Sequence, residues 1–304
     1  MSDTPTPRHL PMLQARDLAP APVFEKIAVV GLGLIGGSIA LAAREVWPRG
    51  LLIAVDRKDV LEQAMVRHAI DVAADDLGVI AEADLVILAA PVRQNIALLS
   101  ELDACVPGAA VVTDVSSTKQ DVVEAARALP ARFTFVGGHP LAGAARGGFE
   151  HARPDLFKGR PWIFTPHTDA GGEALDRLRQ FATGLGAVPA SMEAAAHDRL
   201  VAFLSHLPQL TASALMAVVG EAVGVEGLAL SGRGLVDTTR LASSPADIWR
   251  DIAWTNAADI RQALTALIGR LSHLRDELEE GGAIDETFEE AARWREALMQ
   301  DRTH

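Results

Sequence analysis

The chain of 304 residues has one cysteine, Cys105, no tyrosine, and an aromatic content of only 5%. A single cysteine excludes an internal disulfide and a cysteine-based zinc cluster. With no histidine near it in sequence, Cys105 reads as core filler in a reducing compartment. Basic residues are also scarce: 28 Lys and Arg against 40 Asp and Glu leave a net charge of −12. Nucleic-acid binding needs basic patches that release counterions from phosphates, so this balance argues against such a partner and leaves small molecules. The first 24 residues hold five of the sixteen prolines and no apolar signal-peptide region, so residues 1–24 read as a loose tail and the protein as cytoplasmic. The uncharged run from Ile27 to Ala43 contains four glycines and falls short of the roughly 20 apolar residues of a membrane span, so no membrane partner is expected.

What is present is enough apolar residue, 49%, to fill a sizeable core, over a length that suits two domains. From Lys26 to about Met192, short apolar runs ("KIAVV", "LLIAV", "LVILAA", "AAVVTD", "FTFV", "PWIF") alternate with helix-like segments. That alternation predicts an α/β domain of Rossmann type over residues 25–192, with a mainly parallel sheet. After Met192 helical spacing takes over, as at Leu200, Phe203, Leu204 and Leu207, so residues 193–304 read as an all-α domain. Within it Ile260, Leu264, Leu267, Leu271, Leu274 and Leu278 follow steps of four and three. They suggest a seam on one long helix starting at Ser244 and Pro245 and ending at Gly281 and Gly282. Such a seam packs inside the domain or joins two copies as a homodimer.

"KIAVVGLGLIGGSIALAAR" sets Gly31, Gly33 and Gly36, with Leu34 and Ile35 between the last two, in GxGxxG spacing between a strand and a helix. The first glycine permits a tight turn, the second close approach of a pyrophosphate, and the third close helix–strand packing. The next strand ends in Asp56, 20 residues after Gly36, where an acid binds ribose hydroxyls. Asp56 would repel a 2′-phosphate and favours NAD over NADP, while its neighbour Arg57 could accommodate that phosphate.

Ligands gather at the carboxyl ends of strands in such sheets. "LVILAAPV" ends there in Pro91, and "AAVVTDVSSTK" delivers Thr113, Asp114, Ser116, Ser117, Thr118 and Lys119, some of which must cap the next helix. "FTFVGGHPLAGAARGG" delivers His139 between Gly138 and Pro140, outside any apolar period. A neutral imidazole there is suited to take a hydroxyl proton as hydride leaves. In the helical half His206 precedes Pro208, which frees the Leu204 carbonyl and should kink its helix. Arg233, Arg240 and Arg250 flank a glycine-bearing loop, and residue chemistry alone leaves these possible carboxylate clamps equal.

Taken together, "VVGLGLIGGSIA", "VTDVSSTK", "GGHPLAG", "LFKGRPWIFTP", "HDRLVAFLSHLPQ" and "GLVDTTRLASSPADIWRDI" resemble the prephenate and arogenate dehydrogenases of tyrosine biosynthesis over Lys26 to about Leu274. The resemblance implies NAD-dependent oxidation of prephenate with loss of CO₂ to 4-hydroxyphenylpyruvate, or of arogenate to tyrosine, without a metal. It implies His139 as the group assisting hydroxyl deprotonation, Ser117 beside it, Arg240 on the ring carboxylate, and His206 and Trp249 near the substrate. In relatives that tryptophan can come from the partner subunit. Many relatives carry an acidic or polar residue after "HPxAG", where this chain has Ala144, Ala145 and Arg146. Without an acid to hold the arogenate ammonium, prephenate is the expected substrate. β-Hydroxyacid dehydrogenases share the layout but need a lysine that "AAAHDRLVAFLSHLPQ" lacks. A dinucleotide-sensing module without catalysis would not need His139, Ser117 and Arg240 together. Nothing in the sequence accounts for the missing tyrosine.

Overall fold

The apolar runs form strands of a single sheet in the computed structural model, which describes residues 20–144, 146–167 and 172–300. The chain divides into two compact units. One contains the residues up to Asp198 together with Ser244–Thr255, and the other contains Arg199–Ser243 and the residues from Asn256 onward.

In the first unit the strands are β1 (Lys26–Val30), β2 (Leu51–Val55), β3 (Val72–Ala74), β4 (Leu85–Leu88), β5 (Ala110–Asp114), β6 (Phe133–Pro140), β7 (Pro161–Pro166) and β8 (Val188–Ser191). Among the described residues they run in the order β3-β2-β1-β4-β5-β6-β7-β8. All neighbours pair in parallel except β6 and β7. The central strands are buried on both faces, which is why they read as continuous rather than alternating apolar runs. Their side chains still alternate between two cores. Ile27, Val29, Leu85 and Ile87 pack with α1 (Leu34–Val46) and α5 (Gly172–Gly184). Ala28, Val30, Val86 and Leu88 pack with α3 (Val92–Cys105) and α4 (Gln120–Ala126). Among the described residues the remaining α-helix between strands is α2 (Lys58–Val66). β3 and β8 carry no apolar run of their own, and only the pairing of β3 with β2 and of β8 with β7 makes them strands.

The helical stretch opens with α6 (Ala194–Val201), passes through a π-helical turn at Ala202–His206 and continues as α7 (Leu207–Leu228). Pro208 cannot donate to an i−4 carbonyl, and the wider turn directly ahead of it takes up the kink. α8 (Arg233–Thr238) and a 3₁₀ turn (Arg240–Ser243) follow. The expected single helix from Ser244 to Gly281 is instead two, α9 (Ala246–Thr255) and α10 (Ala257–Asp276), and α11 (Gly282–Gln300) follows. The break falls at Asn256, which is buried with a non-helical backbone (φ −131°, ψ 30°) and whose Nδ2 lies 3.3 Å from His206 Nδ1. The expected end at the glycines holds: α10 closes at Asp276, and Gly281, whose φ of 79° suits glycine, stands directly before α11. α9 groups with the sheet unit, where Arg93 of α3 lies 5.0 Å over the Trp254 ring and 3.9 Å from Asp251.

The expectation of no membrane-length apolar segment needs correction. Leu200–Gly220 carries no Asp, Glu, Lys or Arg, and the helical stretch Ala194–Leu228 is long and apolar enough to cross a membrane by length and composition. Only 28% of its most apolar window is buried. Across the helical unit Val218, Leu230, Leu271, Phe288 and Trp294 are likewise exposed.

In the first core Phe181 of α5 stacks on Trp47 (5.3 Å between centroids, 17°) and meets Phe24 edge-on. Phe181 is 1% exposed. Phe181→Ala should therefore lower stability by about 3–5 kcal/mol. Urea unfolding followed by near-UV circular dichroism would check this, and an unchanged midpoint would contradict the packing described.

Candidate active site

The glycine loop joins β1 to α1 at the point where strand order reverses, between β1 and β4. Gly31 has φ of 96°, and a Cβ there would lie 2.8 Å from the Ala89 backbone after β4. A Cβ on Gly36 would overlap the Gly31 carbonyl oxygen, so the third glycine is fixed by loop–helix contact. Gly33 is different: nothing lies within 4 Å of its Cβ position, so the loop is open on that side. Gly33 also begins α1, whose first turn, including Leu34 and Ile35, holds no acidic residue. An open glycine in front of a 13-residue helix start leaves room for an anionic group against the helix N-terminus.

Asp56 sits directly after β2 and accepts a hydrogen bond from the Leu32 backbone N–H at 2.5 Å, with its other oxygen on the Arg57 N–H at 2.6 Å. The carboxylate thus braces the glycine loop from the position where an acid reads a ribose. Arg57 is exposed, with its guanidinium 3.4 Å from Asp59. Pro91 precedes α3 with φ −53° and ψ 147°. The turn that Pro91 begins is held by Asn95, which is fully buried. Asn95 Oδ1 accepts from the Ala90 N–H, and its Nδ2 donates to the Leu88 carbonyl and to Ser116 Oγ at 2.9 Å. Asn95 therefore ties the ends of β4 and β5 together. An asparagine four residues after a strand-end proline was the available signal, but it is weak.

Ser117 is half-buried just past β5, and the capping expected of the polar burst comes from elsewhere. No side chain within "TDVSSTK" caps α4. The carboxylate of Asp198 does so from 78 residues away, accepting the Lys119 N–H (2.7 Å) and the Gln120 N–H (2.8 Å). Within the burst, Lys119 and Asp114 form a fully buried ion pair. Lys119 Nζ also donates to the Gly138 carbonyl at 2.8 Å, while Asp114 accepts the N–H groups of Ser116 and Gly138. Burial pushes the Lys119 ammonium below its ordinary range, and the Asp114 charge opposes that shift. Thr118 Oγ1 lies 2.7 Å from Thr255 Oγ1 at the end of α9, the helix that carries half-buried Trp249.

His139 does not follow the strand as expected; it lies within β6, paired with Ile163 of antiparallel β7. Pairing of β6 with β5 stops at Val136, so His139 stands beyond the carboxyl edge of the parallel strands. The flanking glycines serve packing rather than open space. A Cβ on Gly138 would lie 2.7 Å from the Asp114 carbonyl oxygen, and one on Gly137 would overlap the Thr165 hydroxyl. His139 Nδ1 is 2.9 Å from Nε2 of His197, and His197 Nδ1 is 2.8 Å from Asp198 Oδ1. His197 and Asp198 are fully buried. Both stand in a stretch that resembles the family, yet their contact with His139 is invisible without the fold.

Past Pro140 the loop is exposed at Ala144 and Arg146, and Ala145 lies outside the described residues. The chain is then pinned to α1 and α2: Arg67 donates to the carbonyls of Phe149 and Ala152, and the Arg153 N–H donates to Ser38 Oγ. Arg240 and His206 belong to the helical unit. Arg240 is exposed at the start of its 3₁₀ turn, whereas His206 is 1% exposed in the π-helical turn beside Asn256. Arg233 and Arg250 are both exposed.

Both halves of the chain match known proteins. Residues 39–190 match the family model described as prephenate dehydrogenase, nucleotide-binding domain, and residues 193–293 match the one described as prephenate dehydrogenase, dimerization domain. The prephenate dehydrogenase of Bacillus subtilis is 34% identical over 90% of this chain and 76% of its own length. A crystal structure of Synechocystis arogenate dehydrogenase is similar with a TM-score of 0.74 and 30% identity, covering 91% of this chain and 98% of that one. The A. aeolicus prephenate dehydrogenase, solved with hydroxyphenyl propionate and NAD+, gives a TM-score of 0.80 at 27% identity over 92% and 97% of the two chains. With both halves matched in order, the chain belongs to the prephenate dehydrogenase family.

Proposed function

We propose that the protein is an NAD-dependent enzyme that oxidises prephenate and releases its ring carboxylate as CO₂, giving 4-hydroxyphenylpyruvate. The observation that carries this reading is His139, held at the sheet edge that also presents the open Gly33 side of the glycine loop. The residues present fit NAD. Gly31, Gly33 and Gly36 with the start of α1 would hold the pyrophosphate, Asp56 the ribose hydroxyls, and the Asp56 charge disfavours a 2′-phosphate. The bound dinucleotide supplies the hydride acceptor.

His139 takes the hydroxyl proton as the ring carbon bearing it loses hydride and becomes a carbonyl carbon. The C–C bond to the ring carboxylate then breaks, its electron pair enters the ring, and the oxygen recovers a proton as the ring becomes aromatic. Aromatisation drives the sequence, so the protein's share is positioning and a proton held at one atom. Ser117 supports the hydroxyl, Arg240 binds the ring carboxylate through its planar fork, and His206 and Trp249 complete the substrate contacts. Because Arg240 holds a group that departs, its contribution is to binding. Ala144, Ala145 and Arg146 offer no acid for an ammonium, which favours prephenate over arogenate.

The exposed apolar residues of the helical unit, with its match to a dimerization domain, support a homodimer formed through that unit. Sedimentation equilibrium at micromolar concentration should return twice the chain mass, and a monomer would refute the assignment.

His139→Asn should lower kcat by about 10²- to 10⁴-fold with little change in KM, whereas Arg240→Gln should raise the prephenate KM by about 10- to 100-fold. Steady-state NADH formation measures both, and wild-type turnover in the first or wild-type KM in the second would sink that role. The deciding comparison is kcat/KM on prephenate against arogenate, which should favour prephenate; the opposite order would overturn the substrate assignment.

A further inference from the structure

We infer that His197, backed by Asp198, is a positioning residue that fixes the tautomer of His139 and leaves the lone pair on Nε2. The inference rests on His139 being the proton acceptor proposed above. It follows from the direction of a three-member chain. An aspartate carboxylate at neutral pH can only accept hydrogen bonds, and Asp198 already receives the backbone N–H groups of Lys119 and Gln120 on its two oxygens. His197 Nδ1, 2.8 Å from Asp198 Oδ1, must therefore be the donor. A neutral His197 then has its lone pair on Nε2, the atom 2.9 Å from His139 Nδ1. His139 must donate from Nδ1, which places its own lone pair on Nε2.

The arrangement does two things that a lone histidine at a strand end could not. It selects one tautomer, since a neutral imidazole carries its proton on either nitrogen unless a partner decides. It also shares the charge of the imidazolium formed when the hydroxyl proton arrives, because that charge hydrogen-bonds through His197 to a buried carboxylate. The proton taken at Nε2 stays on Nε2 and is the one returned to the phenol oxygen. No proton needs to pass along the chain, so the relay orients and stabilises without being consumed. The anchor is rigid: the oxygens of Asp198 cap α4, and the His139 backbone is paired in β6.

The test uses full-length enzyme labelled with ¹⁵N in the histidine rings, with resonances assigned through His139→Asn and His197→Phe. In the wild type, long-range ¹H–¹⁵N spectra taken above the His139 titration should show His139 protonated at Nδ1. In His197→Phe it should revert to the Nε2–H form. Kinetically, His197→Phe should lose about 10- to 100-fold in kcat, the loss typical when a group orienting a functional histidine is removed, with KM for prephenate and NAD unchanged. His197→Gln, whose amide can accept from His139 and donate to Asp198, should recover most of that loss. A wild-type His139 protonated at Nε2, or a folded His197→Phe with full turnover, would overturn the inference. If His197→Phe does not fold, the wild-type spectrum alone decides, because it requires no variant protein to be active. A His139→Asn enzyme with normal kcat would instead refute the base assignment, while the tautomer of His139 would still be read from the spectrum.

Discussion

The Lys119 ammonium is wholly shut off from solvent between the Asp114 carboxylate and the Gly138 carbonyl oxygen, and the carboxyl edge of the sheet is built around it. Removing either charge alone from such a pair costs about 3–5 kcal/mol, because the survivor is stranded in a low-dielectric interior. The pair is tolerated because its remaining hydrogen-bonding capacity is used. Asp114 receives the N–H groups of Ser116 and Gly138, and Lys119 grips the strand that presents His139. One side chain from the β5 end and one from the following turn thereby tie β5 to β6 at Gly138. Gly138 has no room for a Cβ for the same reason: the Asp114 backbone lies against it.

A second lattice, of neutral and charge-assisted bonds, crosses the first at Lys119. Its side chain serves Asp114, while its backbone N–H is bound by Asp198. The two networks divide the labour. The ion pair fixes where the His139 backbone lies, and the Asp198–His197 chain fixes how its ring is turned. Asn95 extends the same edge to the β4 turn, beside the glycine loop. From the turn after β4 to the ring of His139, the ends of β4, β5 and β6 are thus held by one set of largely buried polar bonds. This is the condition under which such bonds rigidify a site rather than weaken its core.

Much of this could be read in the sequence, and the limit has a physical origin. The central strands are legible because burial on both faces demands uninterrupted apolar runs, and the glycine loop because backbone crowding leaves a fixed spacing. β3 and β8 are not legible: "VAA" and "VPAS" become strands only through pairing partners distant in sequence. The long helix is misread for a related reason. The heptad-like spacing continues through its second half, but Asn256 exchanges helical backbone for a buried contact with His206 that spacing cannot reveal. The polar burst "TDVSSTK" announces a capped helix correctly and misassigns the cap, which arrives from Asp198. Local propensity proposes a hydrogen-bond partner, and tertiary structure is free to supply a better one.

The chemistry explains why orientation, rather than acidity alone, should be the controlled quantity. The hydroxyl proton must leave as the carbonyl forms, and a proton must be returned to the same oxygen once CO₂ has gone, so the acceptor works twice on one atom. A histidine free to exchange tautomers would present a donor in place of an acceptor for part of the time, and each such state is unproductive at the first step. A partner hydrogen-bonded at Nδ1 removes that fraction and costs nothing at the second step, because the Nδ1 proton never moves. The buried carboxylate two bonds away then matters less as a base than as a fixed negative charge, always present when imidazolium forms and already held by two backbone N–H groups of α4.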